Sequence, residues 1–340
     1  MPQSILHVGL GAIGRAVVST LLDRPAHVHI SAIVDPAPQF AGKDLAAVLG
    51  HPTPYAVRIV PTVAAALPLS SSPGDEHPVA IMTTGSRMEQ VRPTLEALAD
   101  AGLHVVSSCE ELAYPSLRYP HLAAELDAYT RRRGVAVLGT GVNPGFAMDA
   151  FALVASAACA KVRAMKITRS LDAGKRRYQL QKKVAAGMTL DQFQAELAGK
   201  RIGHVGLAES AALLAEGFGW KLTSVDENFS PVMATQRITA EHFDILPGQV
   251  RGMRMTAAGS IGNRKVVDLD LTMAFAADTF DDIAIDAAPP APPLHLRITT
   301  GFPGDHSTIA LLVNAALCVS RLQPGLRTML DLLPLHAIGT

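Results

Sequence analysis

The chain lacks net charge: 30 Lys and Arg balance 30 Asp and Glu in 340 residues. Without a positive excess or a basic tract, general nucleic-acid binding has no electrostatic basis. Cysteine is scarce. Cys109, Cys159 and Cys318 are odd in number and far apart. That excludes a disulfide framework and a cysteine zinc site, and it fits a reducing compartment. Long hydrophobic runs are missing too. The apolar stretches at 150–160 and 309–319 reach about half of the ~20 residues that a span needs, and Ser156 and Asn314 interrupt them. The start has no basic segment and no cleavable apolar core, so no secretion signal is expected. No His, Cys and Asp spacing suggests a metal. What the chain does have is a 49% apolar fraction, which excludes disorder and supplies an ample core. The expectation is a cytoplasmic globular protein of one large or two smaller domains.

The first half reads as alternating strand and helix. Short apolar segments at 5–9, 29–34, 57–60, 79–83, 104–107 and 135–138 read as strands. Helical spacing appears at 12–22, 88–101 and 120–133, the last two closed by Gly102 and Gly134. Buried strands alternating with helices predict a parallel sheet covered on both faces. After Gly145 the texture changes. Residues 146–160 look like an alanine-rich helix, 162–168 like a strand and 181–219 helical, with Met188-Thr189-Leu190-Asp191 opening one segment. From 230 to 300 the chain is rich in Val, Ile, Thr and Met, with period-two alternation at 267–273, and predicts an antiparallel sheet. Residues 307–320 return to helix. The fold class expected is α/β: a Rossmann-type parallel sheet, then a second α+β domain with a largely antiparallel sheet.

Gly9-Leu10-Gly11-Ala12-Ile13-Gly14 is a G-x-G-x-x-G run between a predicted strand and a predicted helix. Asp35 follows about twenty residues later at the end of the second strand, which completes the dinucleotide fingerprint. Gly9 permits the tight turn. Gly11 lets a pyrophosphate approach the backbone, and Gly14 lets helix and strand pack closely. The free N–H groups at Ala12 and Ile13 and the helix dipole suit phosphate. A carboxylate at Asp35 can accept both ribose hydroxyls of NAD and repels a 2′-phosphate. Pro36, Ala37 and Pro38 offer no adjacent Arg for NADP. NAD is therefore the first choice and NADP the second. The plainer alternative is that Asp35 caps the turn before Pro36.

Three further strand ends carry polar residues where ligands bind in open α/β sheets. Thr83-Thr84-Gly85-Ser86 suits a ribose or nicotinamide, or forms an ordinary turn. Ser107-Ser108-Cys109-Glu110-Glu111 offers two carboxylates, either of which can serve as a general acid–base or as favourable charge in a first helical turn. Cys109 has no His partner in sequence and reads as packing. In Gly139-Thr140-Gly141-Val142-Asn143-Pro144-Gly145, three glycines imply close backbone approach or a hinge, and Asn143 can bond a carboxamide. In the second half the polar candidates are Tyr178, His204 and Thr300. His204 alone is more simply a structural hydrogen-bonder. The basic pairs near 175–183 read as exposed helix surface.

Several segments go beyond general chemistry. They are Thr83-Thr84-Gly85-Ser86-Arg87, the stretch from Val105 through Ser107, Cys109, Glu110 and Glu111 to Pro115, and Leu138 through Phe146. Arg201-Ile202-Gly203-His204-Val205-Gly206-Leu207 and Thr328-Met329-Leu330-Asp331-Leu332 join them. Together they resemble the 2,4-diaminopentanoate dehydrogenases and the related native amine dehydrogenases, which share a two-domain architecture with dihydrodipicolinate reductase. The resemblance spans nearly the whole chain. It implies NAD(P)-dependent oxidative deamination of a primary amine, or the reverse reductive amination of a ketone or aldehyde with ammonia. The glutamate role in the Cys-Glu-Glu segment falls on Glu110, with Glu111 in reserve. Ser107 joins the cofactor residues, and Val142, Phe146, Tyr178, His204 and Thr300 the substrate pocket. The implied architecture is a dinucleotide domain of residues 1–146 completed by a C-terminal helix at 305–340. Residues 147–304 would be a substrate and dimerisation domain in a homodimer. Three alternatives stand beside it. A dihydrodipicolinate reductase-like enzyme would carry a His-His pair followed by Lys-x-Asp-x-Pro-Ser-Gly-Thr, which is absent. A dehydrogenase of hydroxy or carbonyl compounds fits the same scaffold. A non-catalytic NAD sensor is opposed by the glycine loops and the Glu110–Glu111 pair.

Overall fold

The computed structural model describes residues 2–51, 55, 57–70 and 78–332. The chain divides into two compact units, Met1–Phe146 with Gly304–Thr340, and Ala147–Pro303. The first opens with β1 (Gln3–Val8), α1 (Ala12–Leu22) and β2 (Val28–Val34). Next come α2 (Leu45–Leu49), β3 (Ile59–Val60), α3 (Val63–Ser70) and β4 (Val79–Met82). Then come α4 (Met88–Asp100), β5 (His104–Ser107), α5 (Pro120–Arg132) and β6 (Ala136–Gly139). Every residue of β4, β5 and β6 is buried, as strands covered on both faces must be. On α4, Val91, Leu95 and Leu98 fall on one face and are buried. The helix stops before Gly102, whose φ of +75° suits a residue without Cβ.

The second unit runs through α6 (Ala150–Ser156), β7 (Val162–Asp172), α7 (Tyr178–Lys183), α8 (Leu190–Ala198) and α9 (Leu207–Gly217). The strands follow: β8 (Ser224–Met233), β9 (Ile238–Thr239), β10 (Asp244–Ile245), β11 (Val250–Ile261), β12 (Arg264–Ala274), β13 (Phe280–Ala287) and β14 (Leu294–Ile298). Five of them with β7 form one six-stranded sheet in the order β14-β13-β7-β12-β11-β8, and β9 and β10 pair separately. All pairs in the larger sheet are antiparallel except β7 with β12. Between those two strands lie three helices and four strands, a crossover long enough for parallel pairing. Period-two burial puts Met253, Met255, Leu269, Leu271, Ile283 and Ile285 into one core, against which α9 packs.

Two helical expectations change. The stretch expected at 146–160 is helical only over Ala150–Ser156, because Asp149 leaves helical geometry and caps Ala150 with its own carboxylate. The helical stretch expected at 181–219, with one segment opening at 188–191, resolves into α7, α8 and α9. Thr189 and Gln192 form a capping box that starts α8, and Gly206 (φ +118°) precedes α9.

The chain then completes the first unit with α10 (Gly304–Ala316) and β15 (Gly325–Arg327). The expected C-terminal helix is thus shorter, and a strand follows it. Residues 333–340 of that expectation lie outside the described residues. The first sheet has seven strands in the order β15-β6-β5-β4-β1-β2-β3, all parallel. The order reverses at β1 and β4. Their carboxyl ends, Gly9 and Thr83, therefore flank the switch point where such sheets bind ligands.

Candidate active site

The three glycines of the loop after β1 are required for different reasons. Gly9 has φ +98°, which L side chains rarely adopt. A Cβ on Gly14 would sit 1.8 Å from the Gly9 carbonyl oxygen, so only glycine permits that approach of helix and strand. A Cβ on Gly11 would meet nothing within 4 Å. Gly11 is exposed, and as N-cap of α1 it lacks a side-chain cap. The first-turn N–H groups of α1, including those of Ala12 and Ile13, have no intrahelical acceptor. This is an open, uncapped helix start suited to a phosphate.

Asp35 closes β2 and is buried. One carboxylate oxygen accepts the Leu10 N–H at 2.6 Å, and the other accepts the Ala37 N–H at 2.9 Å. The turn-capping alternative is thus realised. An ionised carboxylate has about four lone-pair sites, so two remain for ribose hydroxyls. Beyond β4, the Thr83 hydroxyl donates to the Gly9 carbonyl at 2.9 Å. It is turned to the glycine loop, while Thr84, Gly85 and Ser86 are half-buried or exposed around it.

At the end of β5 the two glutamates separate. Glu111 is buried; its Oε2 accepts the Met88 N–H at 2.8 Å and its Oε1 the Tyr119 hydroxyl at 3.4 Å. It is the side-chain acceptor for the first turn of α4, which the local N-cap Arg87 does not supply. Burial of Tyr119, followed by the Glu111 charge, pushes the Tyr119 hydroxyl pKa up. Glu110 is half-buried. Among the described residues its carboxylate has no hydrogen-bond or ion-pair partner. Ser107 is fully buried and accepts the Cys109 N–H at 3.1 Å. Burial, followed by the Glu110 charge, pushes the Cys109 thiol up to about 12, so it is no nucleophile at neutral pH.

After β6 the backbone runs close to its neighbours. A Cβ on Gly139 would lie 2.3 Å from the Leu112 carbonyl carbon. The Val142 N–H donates to the Thr308 hydroxyl at 3.1 Å, and Asn143 is buried. Of the expected pocket residues, Val142 and Phe146 belong to the first unit and Tyr178, His204 and Thr300 to the second. Tyr178 is exposed and packs edge-on against His242. His204 is half-buried and Thr300 exposed.

Sequence reasoning missed three buried polar groups. His7 lies at the carboxyl end of β1 with its Nε2 at 2.8 Å from the Gly9 carbonyl oxygen. Arg169 and Asp281 form a buried pair at 2.7 Å whose remaining valences hold both the N–H and the carbonyl of Phe302. The Asp149 carboxylate accepts the Ser210 hydroxyl at 2.6 Å. The available signal was a polar residue inside an apolar strand or beside a glycine hinge. Among the described residues, no helix is long and apolar enough to cross a membrane, and no group of three His, Cys, Asp or Glu is placed to hold a metal.

Residues 146–340 match the 2,4-diaminopentanoate dehydrogenase C-terminal domain. The chain belongs to that family. Members act as dehydrogenases on amines, and the chain is an NAD(P)-dependent oxidoreductase of CH–NH2 donors. It is 27% identical to the 2,4-diaminopentanoate dehydrogenase of Acetoanaerobium sticklandii, over 75% of this chain and 73% of that one. The fold is that of an amine dehydrogenase from Mycobacterium smegmatis, with a TM-score of 0.85, 21% identity and coverage of 100% and 98% of the two chains. A more distant likeness joins it to the WlbA dehydrogenase of Bordetella pertussis, solved with NADH and UDP-GlcNAcA. That TM-score is 0.51, at 12% identity, over 96% and 99% of the chains.

Proposed function

We propose that this family member interconverts a primary amine and the matching ketone or aldehyde, with NAD as hydride carrier, ammonia as co-substrate and Glu110 as proton carrier. The observation that carries the reading is the division of labour at the end of β5. Glu111 is committed to α4, whereas Glu110 stands half-buried at a strand end with no hydrogen-bond or ion-pair partner among the described residues. An ammonium has no lone pair to push toward its carbon, so it must lose a proton before hydride can leave. A carboxylate within reach takes that proton and holds it as the neutral acid while hydride leaves the amine carbon and the iminium forms. The nicotinamide ring, when bound, accepts the hydride. Water adds to the iminium carbon and gives one proton to solvent; the carboxylic acid returns its proton to the nitrogen, ammonia departs, and the hydroxyl loses its proton to solvent as the carbonyl forms. In reverse the same group holds ammonia against the carbonyl.

The residues fit a dinucleotide. Gly11 leaves open space for pyrophosphate, and Asp35 retains acceptor sites for two ribose hydroxyls. Thr84, Gly85, Ser86 and Asn143 stand at the strand ends assigned to the ribose and nicotinamide side. Thr83 and Ser107 support the loops from below. Asp35 makes NAD the better cofactor, since a 2′-phosphate would meet its charge. We place Tyr178, His204 and Thr300 among the substrate-selecting residues of the second unit, and assign the reaction to the cytoplasm. The test is amine-dependent NADH formation, with a panel of carbonyl compounds plus ammonia and NADH for the reverse direction. Cofactor consumption that requires ammonia supports the reading; consumption with carbonyl alone sinks it. Asp35→Ser should narrow the preference for NAD over NADP, and a wild type with higher kcat/KM for NADP would refute the role given to Asp35.

A further inference from the structure

The peptide unit joining Gly9 to Leu10 is held at both ends. Its carbonyl oxygen receives the Thr83 hydroxyl at 2.9 Å and lies 2.8 Å from His7 Nε2. Its N–H donates to Asp35 at 2.6 Å. Three side chains from the ends of β1, β4 and β2 thus converge on one peptide plane. His7 is fully buried. Its Nδ1 has no hydrogen-bond partner among the described residues. A carbonyl oxygen can only accept, so the ring proton must be on Nε2. Burial also holds the ring pKa down to about 4, against the smaller opposing effects of Gly9 and Asp35. The imidazole is a neutral donor of fixed tautomer.

We propose that His7 is a positioning residue for dinucleotide binding, donating its Nε2–H to Gly9 so that the Gly9–Leu10 plane is set before the ligand arrives. A carbonyl facing a pyrophosphate would repel it. Two donors beneath the loop keep that oxygen turned into the protein, and the adjacent N–H groups of Gly11–Ile13 stay available to the phosphate. Hydrogen bonds at the two ends of one peptide polarise each other, so His7 and Asp35 act through the same group. The inference rests on reading the glycine loop as the cofactor site.

The experiment titrates NADH and ADP-ribose, by fluorescence and calorimetry, into wild type, His7→Leu and His7→Gln. Gln offers an N–H donor near the position of Nε2; Leu offers none. His7→Leu should weaken both ligands about tenfold, the equivalent of one buried carbonyl left short of a donor, and His7→Gln should recover most of the loss. Parallel loss for ADP-ribose, which has no nicotinamide, locates the effect at the loop. A folded His7→Leu that binds both ligands like wild type overturns the proposal and leaves the cofactor site standing. A wild type that binds neither ligand removes the cofactor reading itself, and this inference with it. Should His7→Leu fail to fold, nitrogen NMR of the wild type decides. The Nε2–H tautomer must be present at pH 6 and its resonance must move when ADP-ribose is added. A proton on Nδ1, or a resonance that does not move, overturns the assignment.

Discussion

Glu110 and Glu111 are chemically identical neighbours with different jobs, and their surroundings decide which is which. Glu110→Gln keeps size and polarity but cannot take a proton. Its kcat should fall roughly 10²–10⁴-fold in both directions, with the NADH dissociation constant near that of wild type. Glu111→Gln preserves an acceptor for the Met88 N–H, so turnover should stay within a few-fold and stability should drop by about 1 kcal/mol. Stopped-flow turnover and denaturant midpoints distinguish the two. A dead Glu111→Gln beside an active Glu110→Gln would exchange the roles. At the same scale, His7 makes stability depend on pH. Its native pKa of about 4 lies below the ordinary 6.5. The unfolded chain therefore binds the proton first as pH falls, and native stability declines between pH 6.5 and 4. The full difference is about 3 kcal/mol. His7→Gln should flatten this part of the curve in urea unfolding measured at pH 7, 5.5 and 4.5. Equal slopes for both proteins would show that the ring titrates normally.

The elements show which features were legible in the sequence and which were not. The boundaries of α1 follow from the glycine run and the apolar spacing, and β4, β5 and the start of α4 follow from local composition. Those are near-neighbour effects. β15 was invisible because three residues, Gly325 to Arg327, form a strand only by pairing with β6. The capping by Glu111 was invisible because its partner is 23 residues away. Within the helical stretch at 181–219, the opening at Met188-Thr189-Leu190-Asp191 is legible and becomes the capped start of α8, whereas the break before α9 at Gly206 is not. Likewise His7, inside a run that reads as apolar, becomes meaningful only once β1 places it under Gly9. The glycine loop yields a prediction that separates its parts. Gly11→Ala has ordinary backbone angles, φ −61° and ψ −173°, and open space for a methyl group. It should fold like wild type and bind NADH more weakly. Gly14→Ala must push the Gly9 carbonyl aside, so its melting temperature should fall by several degrees and its NADH binding should be lost. Equal thermal stability of the two variants would contradict the packing role of Gly14.

At the scale of the whole molecule, the second unit's sheet has two unlike faces. One is buried beneath the core that α9 covers. The other presents Lys166, Thr168, Arg254, Asp268, Asp270, Asp282 and Ala284, half-buried or exposed. Arg254 pairs with Asp270 at 2.6 Å, Lys265 with Asp268 at 2.8 Å and Arg297 with Asp282 at 2.8 Å. Both signs are interspersed, so the face carries no single-sign field that would keep a second copy away. We propose a homodimer through this face. Thr168→Arg tests it. Thr168 lies on β7 directly between Asp270 of β12 and Asp282 of β13. Within one copy an Arg there is flanked by carboxylates, so the fold should keep its melting temperature. Against a second copy it adds bulk and charge at the centre of the contact. Light scattering at micromolar concentration should give a dimer mass for wild type and a monomer mass for Thr168→Arg, with circular dichroism unchanged. A monomeric wild type would refute the dimer, and a variant that stays dimeric would move the interface off this face.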